Sequence, residues 1–295
     1  MGRAAWICGG ARVSPAKSVE SIAAKYARRA AAVNSLVCVG LDSDLEKLPK
    51  RFQKEAEPQL AFNRWIIDQT KDFAAAYKPN AAFYEARGSD GWRELERTVA
   101  YIHRVCPDAV TICDAKRADI GNTNRGYVEG IFDRIGFDAI TLHPYLGCEA
   151  LEPFLNRKDK ASILLCRTSN PGAAEVQDLM VSDQDKSVPL WEAIAAKAAG
   201  PWNARGNVML VVGATFPGEM RRLRAIAPEM TFLVPGVGAQ GGDVQAVVEA
   251  GLDARGAGLI ISASRSILFA PNPGEAAREL RDGINRAREA VHAAR

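Results

Sequence analysis

Eight short apolar runs, evenly spaced and separated by amphipathic stretches, predict an α/β fold: a closed (β/α)8 barrel of the TIM type. The runs are rich in β-branched residues and do not alternate with polar ones, as expected of parallel strands covered on both faces. The length agrees, since 295 residues accommodate eight β/α units. A doubly wound sheet is the runner-up, but it seldom needs eight strands at such even spacing.

Residues 1–20 are small, basic and weakly periodic and are expected to form a flexible extension, with residues 21–295 making a single barrel domain. Arg3 and Arg12 carry the charge of a targeting peptide, but the apolar stretch of a secretory signal is missing, so no targeting role is expected. A helix is expected over 19–33. Strands are expected over 36–41, 74–78, 110–116, 139–143, 163–168, 208–214, 231–237 and 259–264. Amphipathic helices are expected between them, among them 61–73, 92–105, 122–135, 190–199 and 275–293. Residues 170–188, rich in Ser, Asp, Gly and Gln, form the longest stretch without clear structure. They follow the fifth strand and are read as a lid over the active rim.

Composition narrows the function. The chain is 47% hydrophobic and 25% charged, as in soluble globular proteins. A net charge of +3 from 38 basic and 35 acidic residues implies no nucleic-acid partner. No apolar run approaches the roughly 18–20 residues of a membrane span, so no membrane association is expected. The six cysteines (Cys8, Cys38, Cys106, Cys113, Cys148 and Cys166) contain no Cys-x-x-Cys pair. Most lie in apolar surroundings, which favours buried reduced thiols and a cytoplasmic location.

In such a barrel the active site lies at the C-terminal ends of the strands. The polar residues gather there. Asp42 and Asp44 follow the first strand, Lys78 ends the second, Asp114 and Lys116 end the third, and His143 ends the fourth. Thr168, Ser169 and Asn170 end the fifth, Gln240 follows the seventh, and Arg265 follows the eighth. With three histidines in the chain and no second ligand at useful spacing, His143 is read as a packed or hydrogen-bonded rim residue, and no metal site is expected.

The most informative stretch is Asp114-Ala115-Lys116-Arg117-Ala118-Asp119-Ile120. Side chains two apart on a strand share a face, so Asp114 and Lys116 are expected to project together. Asp119 falls just past the strand, where it also suits the N-cap of the following helix. Lysine among carboxylates stays protonated. The array suits chemistry in which negative charge develops on carbon and must receive a proton.

These residues resemble the signature of the orotidine 5′-phosphate decarboxylase family, Asp-x-Lys-x-x-Asp-Ile-x-x-Thr, matched by Asp114, Lys116, Asp119, Ile120 and Thr123. Further blocks agree in order: Val37-Cys38-Val39-Gly40-Leu41-Asp42, Tyr77-Lys78-Pro79-Asn80, Thr168-Ser169-Asn170-Pro171-Gly172, Val234-Pro235-Gly236-Val237-Gly238-Ala239-Gln240 and Ser264-Arg265. The likeness runs over about residues 36–269 and is nearest the family's longer bacterial branch. It implies conversion of orotidine 5′-phosphate to UMP and carbon dioxide, the last step of de novo pyrimidine synthesis. It also implies a homodimer with shared active sites that uses no cofactor and no metal. Asp119 and Thr123 would then serve the neighbouring subunit's site, with Ile120 a further substrate contact.

The resemblance also implies roles. Loss of carbon dioxide from C6 leaves electrons in an in-plane orbital with no ring system to delocalise them. Without an electron-sink cofactor, stabilisation must be electrostatic. Lys116 is the expected cation and proton donor, and Asp114 sits beside the substrate carboxylate and holds Lys116. Lys78 bridges Asp114 and a ribose hydroxyl, and Asp42 accepts from the ribose. Ser169 meets the pyrimidine edge, with Thr168 the alternative. Gln240 and Arg265 hold the phosphate, where Gly236 and Gly238 allow close backbone approach. Two departures from the family pattern stand out: Ser264 rather than glycine precedes Arg265, and the loop over 238–243 is compact, so residues 170–188 are expected to supply part of the closure.

Two other readings remain. A magnesium-dependent sugar-phosphate decarboxylase or aldolase of the same superfamily, such as 3-keto-gulonate 6-phosphate decarboxylase, shares Asp-x-Lys-x-x-Asp. It carries an acid where Lys78 stands, and a cation there repels a metal. A non-catalytic barrel binding a phosphorylated ligand needs Arg265 but not three clustered charges.

Overall fold

The apolar runs fold into a cylinder. The computed structural model describes residues 20–183, 186–237 and 243–294. In chain order the strands are β1 (Val37–Gly40), β2 (Ala76–Lys78), β3 (Val110–Arg117), β4 (Ala139–Leu142), β5 (Ala161–Arg167), β6 (Met180–Asp183), β7 (Lys186–Pro189), β8 (Val208–Val212), β9 (Phe232–Pro235) and β10 (Leu259–Ala263). Eight close a barrel in the order β1-β10-β9-β8-β5-β4-β3-β2, each neighbour parallel. Every residue of β1, β2, β4, β8 and β10 is buried, which accounts for their largely apolar character.

Helices fill the outer layer. Pro58–Thr70 starts with proline in its first turn, where the missing N–H costs nothing. Gly88–Val105 buries Leu95, Val99 and Ile102, spaced four and three apart on one face. Gly121–Val128 continues as a π-helical stretch, Glu129–Ile135, and stops at Gly136, whose φ of 89° is in the left-handed region. Gly147–Leu155, Leu190–Ala199, Pro217–Ile226, Val244–Gly251 and Pro273–Ala293 complete the layer.

One further helix, Ile22–Ala32, closes the N-terminal end of the barrel. The Ser21 hydroxyl caps it at Ala24 N–H, 3.2 Å away. Its Tyr26 hydroxyl donates to Leu259 O at 2.7 Å, its Arg29 Nε to Ala74 O at 3.2 Å, and its Lys25 pairs with Asp138 at 2.9 Å. These contacts lie at the starts of β10, β2 and β4, so the C-terminal rim is left as the open end.

The eight expected strand positions all carry barrel strands, and the last expected helices appear as Leu190–Ala199 and Pro273–Ala293. The expected extension, apart from Glu20, lies outside the described residues. Residues 170–188 require a correction. In place of irregular backbone, their described residues hold a turn (Pro171–Ala173), a short helix (Ala174–Gln177) and the antiparallel pair β6–β7, with Val181 opposite Val188. The hairpin strands are four residues each and half polar, too short for a periodic signal.

Candidate active site

At the C-terminal rim, Lys78 and Lys116 hold the two oxygens of one carboxylate. Lys78 Nζ meets Asp114 Oδ2 at 2.7 Å, and Lys116 Nζ meets Oδ1 at 2.6 Å. Lys78, the last residue of β2, is only 4% exposed, whereas half of the Lys116 side chain faces solvent. Burial alone would raise the Asp114 pKa, but the two ammonium groups hold it well below the usual carboxylate range. Burial alone would lower that of Lys78, but Asp114 and then Asp42 hold it above the usual lysine range.

Asp114 and Lys116 meet as expected, but not through strand alternation. Between the pairs Cys113↔Ile140 and Arg117↔Leu142, β3 advances four positions while β4 advances two, so β3 carries two extra residues within Asp114-Ala115-Lys116. Lys116 takes a φ of 48°, one of two non-glycine positive values among the described residues. On the other side the Asp114 backbone is fixed between β2-loop groups: its N–H donates to Pro79 O at 3.0 Å and its carbonyl accepts Ala81 N–H at 3.1 Å. Thr141, buried in β4, bonds to Asp114 Oδ1 and to the Ala115 and Lys116 amides, each at 3.0 Å.

These groups line a cavity of about 430 Å³. Lys78, Asp114, Lys116 and Thr141 face Thr168, Ser169, Asn170 and Gln177 across it, with Leu165, Val211 and Leu233 supplying apolar wall. Gln177 joins the short helix Ala174–Gln177 to the loop after β5. Its Oε1 accepts Thr168 N–H at 2.9 Å, and its Nε2 donates to the Thr168 hydroxyl at 2.7 Å. That hydroxyl donates in turn to Asn170 at 2.6 Å, which ties Thr168 into the loop. Arg167 ties down the far end of the short helix through Asp178 at 3.3 Å.

The other expected site residues divide. Asp42 lies outside the cavity lining, but close enough to Lys78 to act on its charge, and its buried Oδ1 has no hydrogen-bond partner among the described residues. Arg265 is exposed at the start of the short helix Arg265–Leu268, just past β10 and beside β1. Ser264, which precedes it, packs where a Cβ on Gly40 would sit. Gln240 and Gly238 lie outside the described residues. Asp119, Ile120 and Thr123 do not line this chain's cavity; Ile120 is 58% exposed and Thr123 is exposed on the following helix. Tyr145 and Leu146 add exposed apolar surface on the loop after β4.

Asp119 is not the N-cap. Ile120 holds that position, and among the described residues the Asp119 carboxylate accepts only the adjacent Ile120 N–H at 2.7 Å, while Asn124 accepts the Asp119 N–H at 2.7 Å and fixes the turn. His143 lies on the rim with Nε2 3.0 Å from Ala118 O, in line with a hydrogen-bonded role. Cys38, Cys106, Cys113 and Cys166 are buried free thiols, and burial pushes Cys38 up to about 12 despite nearby Lys78. Thr141 and Gln177 escaped the sequence reading. The one polar residue in the apolar run 139–142 was the available signal for Thr141.

A closed barrel with a lysine-gripped carboxylate in a rim cavity is the architecture of a (β/α)8-barrel enzyme. Residues 35–280 match the model of the Orotidine 5'-phosphate decarboxylase / HUMPS family, and the chain belongs to that family. It is 46% identical over 264 residues to the orotidine 5'-phosphate decarboxylase of Cellvibrio japonicus, covering 89% of this chain and 94% of that protein. It is 51% identical over 248 residues to that of Halorubrum lacusprofundi, covering 83% and 86%. Among solved structures, the Leishmania donovani OMP decarboxylase superposes with a TM-score of 0.81 at 41% identity, covering 92% of this chain and all (100%) of that one. A Toxoplasma gondii structure described as a putative orotidine-monophosphate-decarboxylase gives 0.85 at 36% identity, covering 92% and 97%.

Proposed function

We propose that this chain decarboxylates orotidine 5′-phosphate to UMP and carbon dioxide, the last step of de novo pyrimidine synthesis, without metal or cofactor. The observation that carries this reading is the Lys78–Asp114–Lys116 cluster in the rim cavity, together with relatives of that name over most of the chain. When the C6–carboxyl bond breaks, its electron pair stays on C6. The Lys116 ammonium, the more exposed of the two, stabilises that pair and delivers the proton. Asp114 holds Lys116 in place and lies beside the leaving carboxylate. Lys78 is the sealed countercharge and reaches a ribose hydroxyl.

The unpartnered Asp42 Oδ1 supports its role as acceptor for a ribose hydroxyl, since a buried acceptor without a partner is costly. Ser169 meets the pyrimidine edge, and Gln240 and Arg265 hold the phosphate. Asp119, Ile120 and Thr123 serve the site of a second subunit. Their position off the chain's own cavity and the exposed Ile120, Tyr145 and Leu146 support a homodimer. A cytoplasmic location suits the pathway, and among the described residues no helix is long and apolar enough to cross a membrane.

The magnesium-using alternative is disfavoured by Lys78, whose ammonium lies 2.7 Å from Asp114 and opposes a divalent cation there. The test is a spectrophotometric assay of orotidine 5′-phosphate loss after exhaustive chelation. Full turnover to UMP is expected; activity lost on chelation and restored by magnesium would overturn the reading.

A further inference from the structure

The geometry points to Thr141 as a positioning residue for this reaction: its hydroxyl fixes the backbone turn that brings Lys116 to Asp114. The inference rests on the decarboxylase reading of the same cavity and extends it to a residue on the adjoining strand. One buried oxygen makes three hydrogen bonds. It accepts the Ala115 and Lys116 N–H groups and donates to Asp114 Oδ1, each at 3.0 Å. A hydroxyl offers one proton and two lone pairs, so its whole capacity is used.

The two amides belong to the stretch 114–116, in which β3 carries two residues in excess of β4. Residues in such a bulge lose their ladder partner on the neighbouring strand. A part-buried N–H left without an acceptor is costly. Thr141 supplies the acceptor from within β4 itself, and the same oxygen orients the carboxylate that receives Lys116 Nζ at 2.6 Å. Lys116 has a φ of 48°, a conformation a non-glycine residue leaves unless its surroundings hold it. The paired amide bonds oppose that relaxation. Valine would match the shape of Thr141 but offers no oxygen; serine keeps the oxygen and drops a methyl.

Thr141→Val and Thr141→Ser proteins are compared with the parent for orotidine 5′-phosphate turnover, UMP binding, thermal unfolding and amide hydrogen exchange at residues 112–116. Thr141→Val should lower kcat about 10- to 100-fold, the scale of a small misplacement of reacting groups, with little change in KM or UMP affinity. The Ala115 and Lys116 amides should lose protection while Ile112 and Cys113 keep theirs. Thr141→Ser should restore both turnover and protection. Parental kcat in Thr141→Val, or unchanged exchange at both amides, would overturn the proposal. If Thr141→Val does not fold, Thr141→Ala carries the same readouts. If the parent itself does not decarboxylate, the functional reading fails alone, and the exchange data still decide whether Thr141 holds the turn.

Discussion

Lys78 donates to Asp114 Oδ2 at 2.7 Å with both side chains almost sealed from solvent, at 6% and 12% exposure. A pair so placed is a fixed charge distribution rather than a titrating one. The Asp114 pKa is depressed, so its contribution to stability is fully present above the unfolded value of about 4 and fades only as pH falls through the lower folded value. The Lys78 pKa is raised, so its contribution is fully present below the unfolded value of about 10.4 and fades only as pH rises through the higher folded value. A kcat profile from pH 5 to 9 should therefore show no limb from either group. A limb that vanishes in Lys78→Met would contradict this.

Lys116 is the more exposed of the two lysines that line the cavity. Lys116→Ala should reduce turnover at least about a thousand-fold, the combined scale of losing a proton donor and a charge aimed at the developing anion. UMP binding, measured by calorimetry, should be largely retained. Unchanged turnover would remove Lys116 from the chemistry.

The position of Asp119 off its own chain's cavity predicts complementation. Lys116→Ala and Asp119→Ala proteins, each inactive, are mixed and allowed to exchange subunits. Random exchange gives half mixed dimers, each with one intact site, so about a quarter of parental activity should return. No recovery despite verified exchange would place Asp119 outside a shared site.

Gly213 sits against the loop that carries Ser169. A Cβ there would lie 2.8 Å from Ser169 Cβ and 2.9 Å from its backbone nitrogen, so the loop must move. Gly213→Ala should raise KM about tenfold and cost about 1–3 kcal/mol of stability, as overpacking does. Parental KM would mean that the pyrimidine contact lies elsewhere.

The barrel was legible because its strands are buried on both faces, and an apolar run such as 208–212 needs no knowledge of its neighbours to be recognised. The charged residues were legible because Lys78, Asp114 and Lys116 stand at the ends of such runs. The β3 bulge was not legible, because register is a property of two strands and appears in neither alone. Thr141 was hidden for the same reason: its partners are amides of residues that only the bulge exposes. Gln177 was missed because it lies in 170–188, where a single helical turn and a short hairpin leave no periodicity. The capping expectation for Asp119 failed because Asn124 fixes the turn and the N-cap falls on Ile120, one residue later.

The left-handed backbone at Lys116 sets activity against stability. A side chain at that φ is held at a cost that glycine would not incur. Of two variants that both lack the ammonium, Lys116→Gly should be more stable than Lys116→Ala by about 1 kcal/mol in denaturant unfolding. A selection for thermal resistance alone would favour the inactive glycine protein over the alanine one. Attempts to harden this enzyme should therefore leave residues 114–117 alone and work on the helical layer.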